Sequence, residues 1–339
     1  ETGIVIVAFA VMQTLISTGS ISSLLEGLMV PLCIYIILAV SLNLVVGILG
    51  ELSLGHAGFM CVGAFTSAFF SKCMRDVITI APLRFILALL IGMAVAAVFG
   101  IIIGIPVLRL RGDYLAIVTL AFGEIIKNLV NVLFIGKDSS GFHFSTKDVM
   151  DLNMEADGTV LVNGPQGITG TPKDSTFLIG VILILITLFI VINMVNSRDG
   201  RAIMAIRDNR IAAESVGINV TKYKLMAFTV SAALAGAAGV LYAHNLSTLT
   251  ANTNNFGYNM SINILVFVVL GGIGSIRGSM IAAVILTLLP ELLRGLSDYR
   301  MLIYAIVLIL MMLFNWSPKA IEWREKYLSF GKKKKEAVK

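Results

Sequence analysis

Ten apolar stretches separated by polar segments are the feature that most constrains the fold of this chain. They cover residues 4–18, 24–46, 58–71, 83–107, 114–135, 177–196, 223–244, 262–272, 280–293 and 302–316. In hydrocarbon the backbone must satisfy its own hydrogen bonds, so such stretches form helices, and about 20 residues cross about 30 Å. Two stretches, 58–71 and 262–272, are too short to cross as straight helices, and we expect broken helices there. The sequence predicts an all-α, polytopic membrane bundle of about ten transmembrane helices.

Composition supports contact with membrane lipid. The chain is 57% hydrophobic and 14% charged, whereas soluble domains are about 45–50% apolar and about 25% charged. Its lysines and arginines stand at the ends of apolar stretches, as in membrane proteins, so no nucleic-acid partner is expected. The three cysteines lack metal-ligand spacing, and we expect neither a metal nor a cofactor.

No catalytic motif accompanies this pattern. The chain has three histidines and lacks the metalloprotease, nucleophile-elbow, CxxC and phosphate-loop signatures. We therefore expect a transport subunit rather than an enzyme. Uphill transport would then draw energy from an ion gradient or from nucleotide hydrolysis by another subunit. A polar segment with helical character favours the second source.

Charge predicts the orientation of the segments between spans. Residues 200–224 and the lysines at 332–335 are basic, as are Arg109 and Arg111, so the positive-inside rule puts all of them in the cytoplasm. The linker 136–175 is acidic and should be external, either as a flexible loop or as a small cap that meets a partner. We expect a transmembrane domain over 1–322, with a cytoplasmic coupling segment at 197–222, and a basic cytoplasmic tail over 323–339. The first residue is not Met, and we take the true N-terminus to be missing rather than a signal peptide to be present.

The polar segment at 200–223 predicts a short helix from Asp208 to Val216. Asp208 or Asn209 can cap its N-terminus, and Gly217 suits the left-handed position that ends a helix. The side chains that it offers to a partner are Arg207, Arg210 and Glu214. The alternative is an amphipathic connector that lies in the lipid head groups.

Two glycine-rich segments, 47–58 and 270–279, each lie between apolar stretches. Unwound backbone at membrane depth occurs where it is buried or lines a watery path, and in transporters it often marks the substrate site. The alternative is a tight cytoplasmic turn. A separate repeat of small residues every four positions, at Gly92, Ala96, Gly100 and Gly104, predicts close helix packing.

Polar side chains inside apolar stretches are candidates for a translocation path. Glu124 and Lys127 are three residues apart, so they share a helix face and can pair. Intramembrane charge is costly and turns toward a cavity or a partner, so this pair predicts either a solute path or a structural ion pair. The candidate path residues are Asn43, Ser53, His56, Glu124, Lys127, Asn128 and Asn263.

Four stretches resemble the permeases of branched-chain amino acid ABC importers, a family of bacterial inner-membrane proteins. They are SLNLVVGILGELSLGHAGFMCVGAF, RLRGDYLAIVTLAFGEIIKNLV, GRAIMAIRDNRIAAESVGINVTKYKLMAFTVSAALAGAAGVLYAH and LGGIGSIRGSMIAAVIL, in the family's order. The resemblance implies a second related permease, two cytoplasmic ATP-binding subunits and an external solute-binding protein. Whether the two permeases are identical stays open.

The same resemblance bears on coupling and on the solute. The family's Ala-Ala-Glu-x-x-Gly pattern, which docks in a groove of the ATPase, matches Ala212, Ala213, Glu214 and Gly217. Leu, Ile and Val are the implied solutes, although related permeases carry urea, other amino acids, sugars or nucleosides. The remaining alternatives are an ion-coupled secondary transporter and a non-transporting membrane assembly.

Overall fold

The computed structural model describes residues 2–17, 23–75, 77–108, 113–138, 141–152, 154, 158–293 and 300–316. Within these ranges the α-helices are α1 (Thr2–Ser17), α2 (Ser23–Asn43), α3 (His56–Cys73), α4 (Ala81–Val107), α5 (Asp113–Val132), α6 (Phe177–Asn196), α7 (Arg198–Asp208), α8 (Arg210–Ser215), α9 (Val220–Ala243), α10 (Thr253–Phe256), α11 (Tyr258–Gly271), α12 (Ile276–Leu292) and α13 (Arg300–Trp316). Each apolar stretch coincides largely with a helix, as expected. Arg109, Arg111 and the tail at 323–339 lie outside the described residues.

Five described helices are long and apolar enough to cross a membrane by length and composition. They are Leu25–Leu49, Ala81–Val107, Tyr114–Val132, Phe177–Asn196 and Val220–Ala243. The described chain is therefore predominantly helical, with five helices that are able to cross a membrane.

Helix α9 lies at the centre of the bundle, where small residues let α3 and α4 approach it. A Cβ atom on Gly63 of α3 would overlap the carbonyl oxygen of Gly236 in α9, and one on Gly236 would lie 2.5 Å from Ala96 Cβ of α4. Gly100 faces Ala232 in the same way, at 2.8 Å. The predicted small-residue packing is confirmed, and van der Waals contact between backbones follows from it.

Helices α6 and α9 connect two opposite ends of the bundle. One end, the coupling end, carries α7 and α8 between Asn196 and Val220. The other, the sheet end, carries the strands β1 (Phe134–Asp138), β2 (Gly141–Ser145), β3 (Thr159–Asn163), β4 (Ile168–Thr169) and β5 (Thr248–Leu249). Because α9 has 24 residues and a helix rises about 1.5 Å per residue, the two ends are about 36 Å apart.

The expectation of an all-α fold was wrong at the sheet end. An antiparallel sheet has the strand order β2-β1-β3, and β4 pairs with β5. Its register pairs Phe134 with Ser145 and with Asn163, and a bulge follows Ile135. Lys72 Nζ ties α3 to this sheet by donating to the carbonyl of Val160 at 2.8 Å. The linker is thus a small folded cap in its described part rather than an unstructured loop.

The helix that begins with α2 breaks inside the bundle. It continues as a π-helical turn, Leu44–Leu49, which Gly50 ends in the left-handed conformation at φ 78°. Residues 51–55 are not helical, and α3 starts at His56. The predicted loss of helix in the first glycine-rich segment is confirmed over residues 50–55. Here a π turn, which is frequent at functional sites, precedes it.

The returning segment re-enters the bundle toward its middle. Glu51 pairs with Lys224, the fifth residue of α9. His56 Nε2 lies 2.7 Å from Ser41 Oγ, and the Ser41 carbonyl accepts from Ser231, the twelfth of the 24 residues in α9. Since seven residues of helix span about 10 Å, α3 begins about 10 Å deeper than Glu51.

Candidate functional site

The coupling end is built from two capped helices rather than the single helix predicted from Asp208 to Val216. Ser197 Oγ accepts from Gly200 N at 3.1 Å and starts α7. Asn209, extended at φ −154°, accepts from Ala212 N at 3.0 Å and starts α8. Asn209 is therefore the cap. Helix α7 was not predicted from the sequence, because its polar side chains resemble those of a loop. Gly217, at φ 85°, follows α8 as expected.

The short helix α8 presents aliphatic side chains to its surroundings. Ile211 and Val216 are 80% and 75% exposed, and on the same helix Arg210 Nε donates to Glu214 Oε1 at 3.0 Å. Ala213, by contrast, is buried against Ile206 and Val220. Ala213 therefore holds α8 on the bundle, while Ala212, Glu214 and Gly217 are exposed. Two large aliphatic side chains are thus exposed on an otherwise polar element, a pattern that is typical of surfaces that contact another protein.

Arg207 connects α7 to the first glycine-rich segment. Its Nη1 donates to the Gly47 carbonyl at 3.1 Å, and its other nitrogens donate to Asp208 Oδ1 at 3.0 and 3.1 Å. The stem of Arg207 crosses Gly50 so closely that a Cβ there would lie 2.5 Å from Arg207 Cγ.

The two glycine-rich segments touch each other. Asn43 Oδ1 accepts from Gly274 N at 3.0 Å, and Asn43 Nδ2 donates to Ser279 Oγ at 3.4 Å. A Cβ on Gly47 would overlap the Gly274 backbone. One candidate path residue, Asn43, is thus the bridge between the two segments.

A buried polar cluster surrounds the start of α3. It contains the contacts of Ser41 with His56 and Ser231, and Ala57 N donates to Ser261 Oγ at 3.2 Å. Ser53 Oγ is also buried and has no hydrogen-bond partner within the described chain. Ser53 and His56 of this cluster were predicted as path candidates. Ser41, Ser231 and Ser261 were missed, since single serines in apolar stretches are common and carry no spacing signal.

The pair at Glu124 and Lys127 ties α5 to the helices that follow the sheet end. Lys127 Nζ donates to Glu124 Oε2 and, at 3.1 Å, to Thr253 Oγ1. Glu124 Oε1 accepts from Tyr258 N at 2.8 Å, at the first residue of α11. A carboxylate at a helix N-terminus is electrostatically favourable, so the pair has a structural role in this conformation.

The last two path candidates, Asn128 and Asn263, are exposed. Asn128 is exposed, one turn from Glu124 on α5. Asn263 is exposed on α11, where it lines a shallow depression of about 300 Å³ with Asn254, Asn259 and Ile262. The seven candidates therefore do not form one site: they divide among the glycine-rich core, the α5 ion pair and an exposed asparagine-rich surface.

The branched-chain amino acid transport system permease component family model matches residues 24–314. The chain belongs to this family. It is 37% identical over 298 residues to the high-affinity branched-chain amino acid permease LivM of Salmonella typhimurium, covering 85% of this chain and 67% of LivM. It is also 25% identical over 293 residues to the fructose import permease FruG of Bifidobacterium longum, covering 85% and 79% of the two chains.

A third relative is the branched-chain amino acid permease LivH of Salmonella typhimurium, 23% identical over 286 residues, or 82% of this chain and 88% of LivH. No solved structure matches the chain. Members of the family are permease components of transport systems, so this member is a membrane transport component rather than an enzyme.

Proposed function

We propose that this permease is the transmembrane subunit of an ATP-driven ABC importer that carries Leu, Ile and Val across the bacterial inner membrane. Its similarity to LivM over 85% of the chain is the observation that carries the proposal. The exposed aliphatic surface of α8 adds a physical reason, because it lies on a polar, capped element that suits docking to a soluble subunit.

The proposed complex contains a second related permease, two cytoplasmic ATP-binding subunits and an external solute-binding protein. In it the coupling end faces the cytoplasm, where residues 200–224 supply positive charge. The sheet end faces outward and receives the binding protein. The helices α1, α3, α11, α12 and α13 supply five spans beyond the five long ones, and glycine-rich breaks compensate for their shorter lengths.

The proposed mechanism is alternating access. Nucleotide binding closes the ATPase subunits, their movement displaces α8, and the bundle changes the side to which the solute path opens. Asn128 and Asn263 indicate where this path runs. Amide side chains are costly in lipid, so their exposed surface would face the second permease or the aqueous path between the two subunits.

Uptake of labelled leucine by the reconstituted complex, with and without ATP, tests the proposal. Glu214→Arg reverses a charge in the middle of the exposed face of α8, and we expect it to weaken ATPase assembly or coupled hydrolysis. Asp199→Arg, the same change in the first turn of α7, is the matched control. Assembly and coupled hydrolysis that survive Glu214→Arg would refute docking through α8.

The alternative is an ABC permease for another small solute, such as urea, another amino acid, a sugar or a nucleoside. The similarity to FruG over 79% of that permease favours a sugar among these. Labelled fructose in the same assay distinguishes the two. Uptake that needs an ion gradient and no ATPase would instead identify a secondary transporter.

A further inference from the structure

The carbonyl of Gly47 is the point at which the coupling end reaches the interior of the bundle. It belongs to the last turn of the π-helical segment 44–49, and carbonyls in the last turn of a helix have no donor within that helix. Glu51 N donates instead to the earlier carbonyl of Val45, at 3.1 Å. The Gly47 oxygen therefore needs an outside partner, and Arg207 supplies it at 3.1 Å.

The contact is shaped for an arginine. Gly50 lacks a side chain, and so the aliphatic stem of Arg207 lies directly on the backbone. A guanidinium has several donors and keeps its charge, so one Nη reaches Gly47 while other nitrogens hold Asp208. The bond therefore joins α7 to the π turn as one unit.

From Gly47 the connection continues into the second glycine-rich segment. The backbones of Gly47 and Gly274 are in close contact, and Asn43 binds the Gly274 N–H at 3.0 Å. Gly274 lies in the turn between α11 and α12. One unbroken series of contacts thus runs from α7 through the π turn to the α11–α12 turn.

We propose that Arg207 is a positioning residue that transmits displacement of α7 and α8 to the α11–α12 turn through the Gly47 carbonyl. The proposal rests on the proposed function and assigns a route to its coupling step. Another arginine of the same helix provides the contrast: Arg201 donates to the Asn196 carbonyl beside its own element, at 3.2 Å. Arg201 therefore carries a similar charge without reaching the π turn.

The test compares Arg207→Met, which keeps the stem but removes the donors, with Arg207→Lys and with Arg201→Met. Each is assayed in the reconstituted complex for labelled leucine taken up per ATP hydrolysed. We expect Arg207→Met to lower this ratio by about tenfold or more, the scale set by one hydrogen bond to a charged group. Lysine should restore it in part, and Arg201→Met should leave it unchanged. An unchanged ratio in Arg207→Met, or an equal loss in Arg201→Met, would overturn the proposal.

A second variant perturbs the same contact from the other side. Gly50→Ala would displace the Arg207 stem and should reproduce the Arg207→Met phenotype. Gly170→Ala is its control, because Gly170 has a similar φ of 76° but nothing within 4 Å of the new Cβ. Loss of coupling in both glycine variants would refute the specific route, since backbone strain alone would then explain the effect.

A spectroscopic readout separates failure of this route from failure of the proposed function. The native cysteines are buried, so spin labels can be attached at Ser215→Cys on α8 and at Ile273→Cys in the α11–α12 turn, each paired with Phe144→Cys at the sheet end. With ATP, both distances should change in the otherwise unaltered complex. In Arg207→Met only the Ser215 distance should change, and a normal Ile273 response would overturn the proposal. No movement at either position before the Arg207 change would instead refute ATP-driven coupling itself.

Discussion

The ion pair between Arg84 and Asp174 should contribute strongly to the stability of the sheet end. Arg84 Nη2 donates to Asp174 Oδ2 at 2.8 Å, and the two side chains are only 8% and 14% exposed. The pair joins the first turn of α4 to the chain just before α6. Asp174→Leu would leave the guanidinium buried without its counter-charge.

The expected loss of stability in Asp174→Leu follows from this burial. Removing one partner of a buried ion pair costs about 3–5 kcal/mol, whereas replacing both partners with apolar residues of similar volume is often close to neutral. We therefore expect Asp174→Leu to lower the free energy of unfolding by about 3–5 kcal/mol, and Arg84→Met with Asp174→Leu to lower it by about 1 kcal/mol or less. Glu214→Leu removes the Arg210 partner from a pair that is 36% and 50% exposed, so it should cost at most about 0.5 kcal/mol.

Equilibrium unfolding in mixed micelles, followed by far-ultraviolet circular dichroism, measures all three changes on one scale. The comparison of midpoints at constant slope gives the differences in unfolding free energy. If Asp174→Leu costs no more than Glu214→Leu, the pair does not behave as a buried one. If the double variant is as unstable as Asp174→Leu, lost packing rather than an unpaired charge explains the effect.

Three further changes test packing, the α5 pair and the cap of α8. The Cβ of Gly63→Ala would overlap the Gly236 carbonyl, so this change should lower the free energy of unfolding by about 1–3 kcal/mol in the same assay. Gly123→Ala is the control: its Cβ would meet its nearest neighbour at 3.7 Å, and the change should be neutral or stabilising by about 0.5–1 kcal/mol. Equal losses of stability in the two variants would contradict the packing account. Glu124→Ala should reduce leucine uptake while the complex still assembles in pull-down assays, and normal uptake would remove this side chain from the path. Asn209→Ala removes the cap of α8 and should lower unfolding free energy by about 1 kcal/mol, with no change at all contradicting the capping role.

Local features of the sequence were enough to find most helices. Apolar stretches become helices in a bilayer because each backbone hydrogen bond is then satisfied within the segment itself. The end of α8 was predicted from Gly217 because the left-handed conformation that ends a helix depends mainly on the residue at that one position. The strands were missed because they are only two to five residues long, and because β4 pairs with β5 on the far side of helices α6 to α9.

Contacts between residues that are distant in the sequence show the limit of such local reasoning. Arg207 was singled out from its charge and its place in a polar segment, but nothing near it in the sequence points to Gly47, which lies 160 residues away. Glu124 and Lys127 were paired correctly from their spacing. Their bonds to Tyr258 and Thr253 join α5 to α10 and α11, and spacing within α5 carries no information about that.

The sequence by itself determined that this chain forms apolar helices, interrupted at two glycine-rich segments and by one polar, basic segment. Those properties depend on neighbouring residues, because hydrophobicity, helix capping and glycine's backbone freedom all act locally. Only the tertiary structure decided that the three interruptions meet, with Arg207 on Gly47 and Asn43 on Gly274. The physical reason is that the Gly47 carbonyl and the Gly274 N–H have no hydrogen-bond partner within their own segments. Each therefore binds whichever side chain the packing of the helices brings to it.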